Sequence, residues 1–209
     1  MENNTELYLS EIKEIRKMMA QSSRFLSLSG LSGILVGLYG LAGAFIAWRM
    51  LWLVPPSPLQ MVFPSEIVGS FLMLGAVTLA LALITVIWLT YRRIRKSGNK
   101  FWTPGSRLMC ISLAVPLVSG GLLILIFITR GVFGVIAPLC LVFYGLALVN
   151  AAKFTRQEIF YMGLLQIVLG ILAALIPQWS LFFWAAGFGL VHIIYGTVMF
   201  FRYEYHSKK

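Results

Sequence analysis

The chain has 209 residues, of which 59% are hydrophobic and only 11% charged, and its mean hydropathy is +0.87. A soluble globular domain is not built from such a composition, so the sequence reads as an integral membrane protein. The net charge of +10 does not point to nucleic acid, because the basic residues are dealt out between apolar spans rather than gathered on one soluble face.

The first element in chain order is an arm, residues 1–24, containing NNTELYLSEIKEIRKMMAQSSR. Tyr8, Ile12, Ile15 and Met19 step by four, three and four, with Glu11, Lys13, Glu14 and Lys17 off that line. The pattern predicts an amphipathic cytoplasmic or interfacial helix. Asn3 with Glu6 has capping-box spacing, and Glu14 with Lys17 adds a helical ion pair. Such an arm can lie on the membrane surface, or it can pair with a partner protein or with its own copy in a homo-oligomer. No basic stretch precedes a short apolar core with a cleavage site, so the first apolar span is expected to be retained.

Residues 25–209 are expected to form one all-α transmembrane domain of six helices, arranged as three hairpins. Crossing the ~30 Å hydrocarbon layer takes about 20 apolar residues as a helix. Windows of that kind run from Phe25 to Leu53, Glu66 to Tyr91, Arg107 to Thr129, Val132 to Ala152, Ile159 to Ile176 and Ser180 to Phe201. The second is Leu- and Ala-rich and is expected to face lipid. Pro116 and Pro138 fall inside the third and fourth windows, where each is expected to kink its helix. Cys110 and Cys140 differ in depth by more than a disulfide can bridge. Glu66 suits the dipole at a helix start.

The basic residues orient the bundle. Of the 17 Lys and Arg, only Arg49 and Arg130 fall on one side; the rest, including Arg92, Arg93, Arg95 and Lys96, fall on the other. The positive-inside rule then puts both termini in the cytoplasm, with anionic lipid headgroups as the partners of the basic surface. Trp48, Trp52, Trp88, Tyr91, Trp179, Trp184, Tyr203 and Tyr205 cluster near the span ends, as interfacial anchors do.

Three octets share one template: GLSGILVG (Gly30–Gly37), GLLQIVLG (Gly163–Gly170) and GLVHIIYG (Gly189–Gly196). In lipid there is little hydrophobic drive between helices, so small faces that let backbones approach are what hold helices together. Gly30, Gly33, Gly37 and Gly40, continued by Ala44 and Ala47, make one such ridge, and Gly163, Gly170, Gly189 and Gly196 make others. Gln166 lies twelve residues before the turn at Gln178 and His192 fourteen after it, so at ~1.5 Å rise per residue they sit near one depth. The expectation is that Gln166 and His192 face each other across a tight, hydrogen-bonded contact. Tyr195, one turn beyond His192, completes a candidate intramembrane polar site of Gln166, His192 and Tyr195 as the alternative to a purely structural hydrogen bond, because intramembrane ionisable groups are often functional.

No acidic residue sits deep in a span, and His192 and His206 are too far apart in depth to clamp one haem. No metal cluster, nucleophile with its base, or phosphate-cradling loop is present, so no catalytic residue, cofactor or metal is expected.

At SSRFLSLSGLSG (Ser22–Gly33) and FWAAGFGLVHIIYGTVMFFRYE (Phe183–Glu204) the chain resembles a family of small six-span bacterial inner-membrane proteins with no established activity. The resemblance implies the same bundle and a bacterial inner-membrane location, and carries no site residues. The function expected from the residues is that of a non-enzymatic scaffold, regulatory or homo-oligomeric membrane protein acting through helix contacts. The alternative is a small transporter or channel subunit with its pathway at Gln166, His192 and Tyr195.

Overall fold

The structure is a computed structural model that describes residues 11–13, 29–52, 65–96, 98 and 102–205. Those residues form helices and turns, with no strand among them, and six helices are long and apolar enough to cross a membrane. The chain is a multi-pass helical membrane protein. Apart from residues 11–13, the expected N-terminal amphipathic helix lies outside the described residues, as do the Pro-rich turn after the first span and His206.

The first span is Gly30–Trp52 and the second Ser65–Lys96. The second runs five residues further than its apolar window, into the basic stretch. Arg93, Arg95 and Lys96 in its last turn favour that extension by opposing the negative end of the helix dipole. The third span, Pro104–Thr129, starts earlier than the expected Arg107 because its entry is built for it. Thr103 caps the helix, its backbone N–H donating to Ser106 Oγ (2.8 Å) while Ser106 N–H donates to Thr103 Oγ1 (3.1 Å), and Pro104 takes the first turn.

The fourth helix begins at Ile136 rather than Val132, after a turn in which Gly131 takes a φ of +72°. That start corrects the expectation for Pro138. It sits in the first helical turn, where its missing N–H would have had no partner within the helix, so it does not break the ladder there. Pro116 is interior to the third helix, as expected. The fifth span is Gln157–Leu175. The sixth span, Pro177–Glu204, opens with a 3₁₀ turn over Pro177–Trp179, is α-helical over Ser180–Ala185 and His192–Phe200, and is π-helical over Ala186–Val191 and in the stretch Phe201–Tyr205 that ends it.

The helices pack as a row of neighbours. The first span lies between the second and the sixth, the fourth lies between the third and the fifth, and the fifth leans on the sixth. Glycine sets the two closest contacts. A Cβ on Gly33 would meet Gly196 Cα, and one on Gly37 would meet Gly189 O; a Cβ on Gly196 would in turn meet Gly30 O and Ile34 N. Gly40 and Gly30 likewise touch the backbone of Phe188 and Phe200. The first-span ridge is therefore spent inside the molecule, against the sixth span.

Gly163 and Gly170 share a helix face with Gln166, so the tight contact expected between Gln166 and His192 would put them against the sixth span. They turn instead to the fourth, where Gly163 lies on Gly145 O and Val149, and Gly170 on Leu141 and Val142. The template predicted tight packing but could not choose the neighbour, because a glycine pair is sticky towards any small face that meets it.

The second and third spans are different. Only 6% of each one's most apolar window is buried, against 39% for the first span, so their sides are left to the surrounding apolar medium. They approach each other at one end of the bundle, where Ile94, Met109 and Ala151 form a small core with Leu113 and Phe154.

A candidate functional site in the bundle core

Gln166 is fully buried and His192 is 4% exposed. They do meet, though not directly. Gln166 Nε2 donates to the carbonyl of Gly187 at 2.8 Å, and His192 Nδ1 lies 2.9 Å from the same oxygen. A carbonyl can only accept, so Nδ1 carries the proton and the neutral ring leaves Nε2 as an acceptor. The Tyr144 hydroxyl, 2.8 Å away, donates to Nε2. The expected contact is corrected in form: one backbone oxygen of the sixth span ties the two side chains, and Tyr144 from the fourth span completes the group.

Gly187 makes this geometry feasible. A Cβ there would run into Gln166 Oε1 and Leu141 Cδ2, so any other residue would require those two side chains to shift. It also sits within the π-helical stretch Ala186–Val191. Two side-chain donors compete there with the main-chain ladder for one oxygen, and insertion of that kind accompanies a local change from i→i+4 to i→i+5 bonding.

The imidazole is held by stacking as well. Its ring lies 5.4 Å from Tyr144 and 5.9 Å from Phe188, near parallel to both, and Phe188 continues to Trp184 at 4.8 Å. Trp184 was expected as a surface anchor; it is half-buried and belongs to this aromatic column. Tyr195 is not joined to His192. It packs beside Tyr144 against Leu148, Ile159 and Met162, and its buried hydroxyl has no hydrogen-bond partner among the described residues. Gln166 Oε1 is likewise buried without one. Two buried oxygens in this region, one on Gln166 and one on Tyr195, thus lack a hydrogen-bond partner among the described residues.

A second polar group gathers at the end of the bundle. Glu204 Oε1 accepts from Gly30 N–H (2.5 Å), Ser29 Oγ (3.2 Å) and Arg93 (2.7 Å), so one carboxylate caps the first span and pairs with the end of the second. Glu158 at the start of the fifth span accepts from Arg202 (3.0 Å) and Tyr203 hydroxyl (2.7 Å), and Arg156 lies over the Tyr203 ring at 3.5 Å. Tyr203 was expected as a lipid anchor, and its hydroxyl is committed within the protein.

Among the described residues no three His, Cys or Glu side chains converge in a way that could hold a metal. Cys110 and Cys140 are both free thiols. Sequence reasoning missed Tyr144 and Gly187. The first lies in an apolar run whose facing the sequence does not reveal, and nothing in the sequence marks which carbonyl a π turn will offer. No protein-family model matches the chain, and no curated protein or solved structure does either.

Proposed function

We propose that the protein is a non-enzymatic multi-pass protein of the bacterial inner membrane, with both termini in the cytoplasm, that acts through helix contacts with its own copy or with a partner protein. One observation carries this reading: the second and third spans are long, apolar and leave most of their surface uncovered, while the glycine ridges of the other spans are already used internally. Contacts to another chain then fall to those two spans and to residues 1–24. The orientation follows from the basic residues, since Arg92, Arg93, Arg95, Lys96, Arg107, Lys153, Arg156 and Arg202 share one end of the bundle's sequence topology.

The test is photo-crosslinking in native membranes from probes placed at Gly75 and Gly121, whose helix faces are open. Adducts with a protein of defined mass are expected, and adducts with lipid alone at both sites would overturn the contact reading. A second reading, a small transporter or channel subunit, draws on the two unpartnered oxygens of Gln166 and Tyr195 beside a π-helical turn. It predicts that His192→Ala abolishes solute flux in liposomes while the protein still folds.

A further inference from the structure

The inner end of the second span sorts its cations by direction. Arg93 turns inward to Glu204, next to buried Leu89, Thr90 and Ile94. Arg92, Arg95 and Lys96 are all exposed and make no ion pair among the described residues. With Trp88 and Tyr91 they line one shallow depression, and the spacing 88, 91, 92, 95, 96 is one face of a helix. The Arg92 guanidinium lies 5.8 Å from the centre of the Trp88 ring, which fixes its position above the aromatic.

Directly up the same face the helix turns apolar. Ile84 is 65% exposed and Trp88 58%, and they stand two turns and one turn before Arg92. A ligand that fits this lane needs an acidic head at the Arg92, Arg95, Lys96 level and a hydrocarbon tail along Ile84 and Trp88. A soluble anion would use only the first half, and a zwitterionic lipid would leave the three cations uncompensated.

We infer that Arg92, Arg95, Lys96 and Trp88 form a discrete binding site for an acidic phospholipid on the outer face of the second span. The inference rests on the membrane reading for the depth of these residues. It does not depend on the contact function, and lipid retention in detergent is measured without reference to orientation, so either reading can fail alone.

The experiment is native mass spectrometry of the full chain in mild detergent with added phosphatidylglycerol or phosphatidylcholine. Wild type is expected to retain one phosphatidylglycerol under activation that strips phosphatidylcholine. The triple variant Arg92→Gln, Arg95→Gln, Lys96→Gln is expected to weaken that binding on the order of 100-fold. A control of equal charge change, Lys13→Gln, Arg107→Gln, Lys153→Gln, should keep it, as should wild type challenged with inorganic phosphate. Equal losses in both triple variants would show diffuse charge rather than a site, and displacement by inorganic phosphate would show an anion site without a lipid; either result overturns the inference. Unchanged melting of the triple variant without added lipid separates lost binding from lost folding.

Discussion

Glycines in two regions of this bundle face opposite surroundings. In the first, fourth, fifth and sixth spans they sit against another helix, most of them against its backbone, with Gly145 and Gly163 each lying on the other's carbonyl, and Gly120 of the third span packs on the Phe143 side chain. In the second and third spans, Gly69, Gly75 and Gly121 have nothing within 4 Å of where a Cβ would be. The residue type is the same, and what differs is whether a neighbour has closed on it. Glycine in a membrane helix is therefore a permission for close approach, and packing decides whether it is taken up.

The sharpest way to break that contrast is to fill the closed contacts. Gly196→Leu or Gly145→Leu drives a branched side chain into a neighbouring main chain, and each should destabilise the bundle by about 3 kcal/mol or more. Reversible unfolding in mixed micelles reads this directly, and near-wild-type stability for both would show that the helices are not in backbone contact. A smaller loss is expected in the core cluster. His192→Ala removes a stacked ring and leaves the Tyr144 hydroxyl without its acceptor, for roughly 2 to 4 kcal/mol, whereas Tyr144→Phe removes only one hydrogen bond, worth about 1 kcal/mol. If the two variants cost the same, the stacking of the imidazole contributes nothing. The smallest effect is expected on the open side. Gly75→Leu and Gly121→Leu should change monomer stability by less than ~0.5 kcal/mol, and a loss of crosslinked partner with stability intact would locate the contact surface.

Much of the fold was legible because a helix in lipid must be long, apolar and internally hydrogen-bonded, and those demands are written locally. The six apolar helices follow from that, whereas the start of the third at Pro104 rather than Arg107 was set by a local entry motif of Thr103, Pro104 and Ser106 that an apolar window does not register. The depth match of Gln166 and His192 was legible for a similar reason, since helical rise converts residue number into height. Their shared partner was not. Gly187 O becomes available through a π-helical stretch, and a register change of one residue leaves no mark in composition or spacing.

Pro138 and the fifth-span glycines make the same point about boundaries and neighbours. Moving a helix start by four residues, from Val132 to Ile136, carries Pro138 from the interior to a harmless first turn. Gly163 and Gly170 carry a packing instruction with no address, and the fourth span supplied the address. The far-reaching ion pairs were invisible as well. Glu204 joins residues more than a hundred positions away, and only a fold that returns the sixth span beside the first can place it over the Gly30 N–H and against Arg93.

By itself the sequence determined the number of spans, the glycine faces and the level at which polar groups sit, because periodicity, length and rise act along one chain. Only the tertiary structure decided which glycines closed on which helix, that His192 and Gln166 share a backbone oxygen with Tyr144 behind them, and which cations of the second span turn outward. Those are choices among neighbours, and close packing, hydrogen-bond direction and charge pairing make them in three dimensions.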